Sequence, residues 1–304
     1  MKVFVVIVTY NGEKWIQKCL KSIINATIIP EIIVVDNNST DKTVDLIENF
    51  PASIQLLKQT NNLGFGQANN LGMSYALKNE CDFVFLLNQD AYFQKNTLQI
   101  LLEVYTKNDD YGLLSPIHLN GKGDKLDKNF SNYISYNSNH FIFKDALTLR
   151  LKEVYNVDFV NAAAWLLPKK TLENIGGFDP LFFHYGEDDN YCQRLKYHNF
   201  KIGVVPNSFV YHDREFENKR VIHGFKEELD RRILITKSRL ANINLENTIK
   251  TDSKKILKNA LIKIYLFQFN KFLKKIIEWR ALQKIKNNIA NSRQKNVFLN
   301  NNYL

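Results

Sequence analysis

The stretch Cys81-Asp82-Phe83-Val84-Phe85-Leu86-Leu87-Asn88-Gln89-Asp90 decides the fold. Its apolar run, residues 83–87, is short, aromatic and branched, and it stops at a polar triplet. Such a run reads as a strand buried on both faces that ends where a sheet opens to solvent. In open α/β sheets, ligands bind beyond the carboxyl ends of the strands, so a rigid element would carry Asp90 to a crevice. A carboxylate there can hold a divalent cation, and the cation can hold a diphosphate. An ordinary turn after a strand would use the same residue types. The rest of the chain separates the two readings.

Upstream, residues 3–8 are a continuous branched run ended by Thr9-Tyr10-Asn11-Gly12, and residues 31–35 are a second, ended by Asp36-Asn37-Asn38-Ser39-Thr40. A third, 54–57, leads into Asn61-Asn62-Leu63-Gly64-Phe65-Gly66-Gln67-Ala68-Asn69-Asn70. Between the first two, Ile16, Cys19, Leu20, Ile23 and Ile24 mark one face of an amphipathic helix. Ser39 or Thr40 is placed to cap the next helix, with Val44, Ile47 and Phe50 facing inward. This alternation predicts a doubly wound, mostly parallel α/β sheet with flanking helices. Parallel strands end on the same side, so the three polar ends share one edge and form a nucleotide-sized crevice. A dinucleotide fold needs G-x-G-x-x-G after the first strand, where only Gly12 stands, and no P-loop occurs.

Downstream, the spacing predicts a helix over 97–105, a polar loop over 121–139 and a strand over 157–167 with small residues at Ala162-Ala163-Ala164. Then Gly186-Glu187-Asp188-Asp189-Asn190 sets three carboxylates behind the apolar run Leu181-Phe182-Phe183, just before a helix. An acidic helix start is ordinary, but an apolar run that draws the turn inward makes buried carboxylates costly without a task. Two last runs, 202–206 and 208–211, end at His212-Asp213, and His212 becomes a metal ligand if it meets Asp90.

The net charge of +10 is uneven: residues 250–304 hold 13 Lys and Arg against 2 Asp and Glu, and the rest is near neutral with 28 against 29. From residue 254 onward, Ile256, Leu257, Ala260, Leu261 and Ile264, then Phe272, Leu273, Ile276 and Ile277, repeat at helical spacing among lysines. A basic amphipathic helix of this kind lies on an anionic membrane surface, packs on its own domain, or forms a homo-oligomer contact. No zinc spacing or RNA-recognition signature accompanies it, so nucleic acid is not an expected partner. Three scattered cysteines, a leading apolar run too short for a signal peptide and no membrane-length run point to the cytoplasm, with peripheral attachment at the inner membrane face.

Taken in order, the motifs resemble glycosyltransferase family 2, the GT-A nucleotide-sugar transferases, and within it bacterial rhamnosyltransferase-like enzymes of surface-polysaccharide assembly. The resemblance covers about 3–215: Thr9-Tyr10-Asn11, Asp36-Asn37-Asn38-Ser39, Asn62-Leu63-Gly64-Phe65-Gly66, Asn88-Gln89-Asp90 at the D-x-D position, Gly176-Gly177-Phe178-Asp179, Glu187-Asp188 and His212. It implies a transferase domain over 1–215 and a basic helical extension over 216–304. It also implies an inverting single displacement from a nucleotide-diphospho-sugar to a glycan or polyprenyl-linked acceptor. Asp188 would be the base and Glu187 its partner, with Mn²⁺ or Mg²⁺ on Asp90 and His212. The donor would be held by Thr9, Tyr10, Asn11 and Asp36, and further by Glu13, Asn38, Asn62, Gly64, Asn69, Asn88, Gln89 and Asp90. Two positions depart from the family pattern: Asn88 replaces the first acid of D-x-D, and Asn190 replaces the last acid of the E-D-x-D turn. A sugar-phosphate nucleotidyltransferase would need a Gly-rich basic loop after the first strand. A non-catalytic nucleotide-sugar-binding protein on the same fold is the third alternative, supported by Asn88.

Overall fold

The computed structural model describes residues 1–135, 140–214, 224–300 and 302–304. Its first half alternates as the hydrophobic pattern requires. Strand β1 (Val3–Thr9) leads to α1 (Ile16–Ile24), β2 (Glu31–Asp36), α2 (Thr43–Glu48), β3 (Ile54–Lys58), α3 (Phe65–Lys78) and β4 (Phe83–Asn88). These strands pair in parallel in the order β3-β2-β1-β4, which sets Thr9 beside Asp36 and Val8 beside Asn88. The three polar ends therefore share one edge. Both faces of β1 and β4 are covered: Val5, Ile7, Phe85 and Leu87 pack with α1, and Phe4, Val6, Val84 and Leu86 pack in the core that contains Ala68 and Met73 of α3.

Past Asp90 come β5 (Ala91–Phe93), α4 (Thr97–Lys107), β6 (Tyr111–Asn120), α5 (Lys128–Tyr133), α6 (His140–Leu147), β7 (Tyr155–Asn156), β8 (Ala164–Pro168), α7 (Lys169–Asn174), α8 (Glu187–Tyr197) and β9 (Lys201–His212). Strand β8 inserts antiparallel between β4 and β6. Strand β9 runs parallel to β6 and antiparallel to β5 and β7. Strands β1–β4, β6 and β9 thus point one way and β5, β7 and β8 the other, a mostly parallel sheet with flanking helices.

Local expectations are corrected in three places. The stretch 121–139 is not all loop: Asp127 accepts hydrogen bonds from the Asn129 and Phe130 amides and starts α5, anchored by the fully buried Phe130. Residues 136–139 lie outside the described ones. The strand expected over 157–167 begins only at Ala164; Asn161, Ala162 and Ala163 line a cavity, with the Ala163 carbonyl still accepting from the Asn88 amide at 3.0 Å. Helix α2 is not capped by Ser39 or Thr40; Asp41 accepts from the Thr43 amide at 3.0 Å, while Ser39 Oγ accepts from the Asn11 amide at 3.0 Å. Strand β6 carried no expectation, since Ser115, Pro116 and His118 interrupt its apolar run.

Three helices follow, α9 (Gly224–Ala241), α10 (Ile249–Tyr265) and α11 (Phe269–Asn296), so the apolar spacing starts earlier than residue 254. Leu240, Ala241, Ile249, Leu282 and Ile289 form a core with Phe182, which belongs to the turn before α8. No helix among the described residues is long and apolar enough to cross a membrane. The division expected at 215/216 lies outside the described residues.

Candidate active site

At the shared edge, Gln89 fastens the loop after β1: its Oε1 accepts from Thr9 Oγ1 at 2.6 Å and from the Tyr10 amide at 3.1 Å. A Cβ at position 12 would push against Gln89 Oε1 and Thr9 Oγ1, so a side chain there would disturb this hydrogen bond. Asn11 takes φ 48° and its Oδ1 accepts from the Thr40 amide at 2.9 Å, while the Glu13 carboxylate accepts from the Lys42 amide at 3.1 Å. Thr9, Asn11 and Glu13 thus shape the loop through hydrogen bonds to its neighbours. Asp36 is buried; its Oδ2 accepts from the Ser39 amide at 3.2 Å and its Oδ1 has no partner.

A crevice of about 390 Å³ opens here, lined among others by Tyr10, Trp15, Asn37, Asn62, Gly64, Phe65, Asn88, Gln89 and Asp90. Asn37 Nδ2 donates to Asn62 Oδ1 at 2.9 Å, and Asn37 Oδ1 accepts from the Leu63 amide at 2.8 Å, which fixes the loop before α3. Gly64 takes φ +79°, and a Cβ there would strike the Phe183 carbonyl. Asn38 is exposed at φ 69°, and Asn69 donates to the Phe65 carbonyl within α3 at 3.0 Å; neither lines the crevice.

Pairing of β5 with β9 places Ala91 opposite His212 and so brings Asp90 to that histidine, with 3.3 Å between Oδ1 and Nε2. Two donor atoms at that separation fit around one ion that takes carboxylate oxygen and imidazole nitrogen. The other ring nitrogen of His212 lies 3.7 Å from Asp127 Oδ2, and Arg214 Nε reaches the same oxygen at 3.0 Å. The ring is held at that nitrogen by Arg214 Nε, which donates to His212 Nδ1 at 3.3 Å. Burial raises the Asp90 carboxyl, but the hydrogen bond and charge of His212, with Arg214 nearby, outweigh this and hold it below the ordinary range. Among the described residues no cluster of three or more His, Cys, Asp or Glu side chains could hold a metal.

Asp90, Asn88 and His212 also line an adjoining cavity of about 270 Å³ together with Glu187, Asp188, Asn161, Tyr133 and Arg214. Gly186 at φ +89° turns the chain into α8 beneath the Phe182 ring, and the three carboxylates occupy the first helical turn. A helix start favours their charged forms, yet burial prevails. Burial, then the Asp189 charge, pushes Asp188 up to about 6. Burial, then the Asp188 charge, pushes Glu187 up to about 7, with Lys237 opposing. Glu187 Oε2, Asn88 Oδ1 and Asn161 Oδ1 are buried without partners, as donor groups of an absent ligand would leave them. Asn190 is buried and accepts from Arg194 Nε at 3.2 Å, which makes it a support for α8. A separate depression lined by Lys18, Lys21, Tyr92 and Tyr211 contains none of the expected site residues.

The family model for glycosyl transferase family 2 matches residues 4–175, more than half of the chain. The chain belongs to glycosyl transferase family 2. Within the family it is similar to the low-salt glycan biosynthesis hexosyltransferase of Haloferax volcanii, 24% identical over 232 residues, covering 74% of this chain and 72% of that protein. It is 31% identical to the poly(ribitol-phosphate) beta-N-acetylglucosaminyltransferase TarS of Staphylococcus aureus, over 40% of this chain and 22% of that one. The solved S. aureus TarS 1-349 in complex with UDP superposes at a TM-score of 0.57 with 20% identity, covering 82% of this chain and 68% of that one. GalNAc-T7 with UDP, GalNAc and Mn2+ superposes at 0.56 with 17% identity, over 71% and 44%. At these identities the solved structures speak for the GT-A fold.

In this family 2 chain the crevice also uses residues that sequence reading passed over. Asn37, rather than Asn38, turns inward, because a left-handed Asn38 aims its own side chain at solvent. Arg214, two residues past His212, was a legible signal at a strand end. Asp127, Tyr133 and Asn161 left no signal, since loops distant in sequence carry them to the cavity.

Proposed function

We propose that the chain is an inverting transferase that moves a sugar from a nucleotide-diphospho-sugar to a hydroxyl of a glycan or polyprenyl-linked acceptor in bacterial surface-polysaccharide synthesis. One observation carries this reading: the Asp90–His212 pair and the Asp188 carboxylate line one cavity, and that cavity adjoins the crevice at the ends of β1, β2 and β4. Diphosphate and acceptor base therefore face a common space. The unpartnered Asp36 Oδ1 suits an N–H of the nucleobase, and Tyr10 stands half-exposed at the mouth to cover it. Asp90 and His212 would hold Mn²⁺ or Mg²⁺, whose charge stabilises the leaving diphosphate. Asp188 takes the acceptor proton as the new bond forms on the face opposite the departing diphosphate. A wider cavity of about 1010 Å³ between Phe183, His184, Tyr185 and α9 gives the acceptor its approach.

In this reading residues 1–215 carry transfer, and 216–304 form an extension that faces the inner surface of the cell membrane. A nucleotide-sugar panel with and without Mn²⁺ tests the donor, and Asp90→Asn should abolish metal-dependent donor binding in calorimetry. Unchanged metal-dependent affinity in the folded variant would remove Asp90 from the ion. Donor binding with no turnover on any acceptor would favour the non-catalytic alternative that Asn88 suggests.

A further inference from the structure

Helices α10 and α11 form a hairpin whose two ends differ in character. The root is buried: Ile249, Leu282 and Ile289 pack into the core shared with Phe182, and Ser253 Oγ accepts from Trp279 and Gln283 across the pair at 2.8 and 2.6 Å. The apex is bare. Tyr265 and Phe267 are each 83% exposed and Phe269 59%, with Leu261 and Leu273 exposed beside them. Phe269 lies 13 residues before the buried Leu282, about 20 Å along the helix axis, and α9 accompanies the hairpin as far as Lys274, whose Nζ lies 4.9 Å from the Phe225 ring. Phe267 holds φ +54°, a turn conformation that glycine adopts freely, and yet an aromatic occupies it. Residues 253–277 contain seven lysines and no Asp or Glu.

We propose that this apex is a lipid anchor, inserting Tyr265, Phe267 and Phe269 among the headgroups of an anionic bilayer while the lysines contact phosphate. A protruding tip with aromatic side chains and a basic collar fits a broad anionic plane, as interfacial helices do. A second copy of the chain would oppose lysine to lysine, and no acid on the hairpin tip offsets that repulsion. The proposal rests on the transferase reading only for what the membrane presents, an acceptor with a lipid-linked end. The same core that contains the hairpin's root also contains Phe182, so anchoring at the apex orients the turn before α8.

The test uses the full chain and co-sedimentation with phosphatidylcholine vesicles, with and without phosphatidylglycerol. Binding should require phosphatidylglycerol and weaken with salt. Phe267→Glu with Phe269→Glu should abolish it, and Lys263→Gln with Lys271→Gln should weaken it about thirtyfold. Donor hydrolysis in solution should be the same in all three proteins, which also shows that the variants fold. The proposal falls if the parent does not bind such vesicles or if the phenylalanine variant binds like the parent. It also falls if the apex substitutions instead dissolve a dimer seen by sedimentation velocity. Loss of donor hydrolysis in the parent with vesicle binding intact would overturn the transferase reading and leave the anchor standing.

Discussion

Asp188 and Glu187 line the same cavity, and burial raises the pKa of both. Asp188 faces the cavity of Asp90 and His212 and is held near 6, so it is charged and able to accept a proton close to neutral pH. Asp188→Asn should retain donor affinity and lose about 10²–10⁴-fold in transfer rate. Asp189→Asn should change transfer little, and equal losses in the two variants would place the base elsewhere. The transfer rate of the parent should rise with pH through about 6, as the base deprotonates. Glu187 makes a separate stability prediction. Its folded pKa of about 7 lies above the 4.5 of a solvated glutamate, so between these values the folded state holds a proton that the unfolded chain has released. Stability must therefore fall as pH rises through that window. Glu187→Gln removes this dependence, so its gain in melting temperature over the parent should be larger at pH 8 than at pH 5. A pH-independent difference would mean that Glu187 is solvated.

At the scale of elements, the loop before α3 and the turn before α8 must approach within backbone contact. Gly64 makes this approach, since a Cβ there would meet the Phe183 carbonyl. Gly64→Ala places a side chain at φ 79° and ψ 172°, a region essentially confined to glycine, at about 1–3 kcal/mol from the backbone alone, and also separates the two loops. Denaturant unfolding should register that loss, and donor affinity should fall with it because Gly64, Phe65 and Phe183 line the same crevice. Wild-type affinity would mean that the turn adjusts independently of α3. The pairing of β5 with β9 works in the same way: Asp90 and His212 lie far apart in sequence and meet only because an antiparallel ladder sets Ala91 against His212.

Across the whole molecule, Asp179 joins the extension to the turn before α8. Its Oδ2 accepts from Ser292 Oγ at 2.6 Å, Asn296 Nδ2 at 2.9 Å and Tyr303 OH at 3.1 Å, and its Oδ1 accepts from the Leu181 amide at 2.9 Å. The Gly177 amide donates to the Asn302 carbonyl at 2.8 Å, and Leu304 packs on the main core. Asp179→Ala leaves several buried donors unpaired and should lower stability by at least about 2 kcal/mol. Deleting residues 297–304 should lower the melting temperature and the transfer rate together, although none of the described ones lines the crevice. A deletion that unfolds like the parent would show that the extension stabilises nothing beyond itself.

The sequence by itself determined the alternation of strands and helices, the common edge of the three polar strand ends, and the burial of the acidic turn. These are consequences of periodicity and of parallel geometry, which act over a few residues and need no knowledge of partners. It also held the family motifs in their order. Tertiary structure alone decided that β8 enters antiparallel between β4 and β6, that Asp127 stands behind His212, and that α11 closes on Asp179. Strand insertion, loop placement and helix docking are chosen by burial shared between distant segments. The free energy of such burial belongs to the pair of surfaces, and neither segment carries a local trace of it.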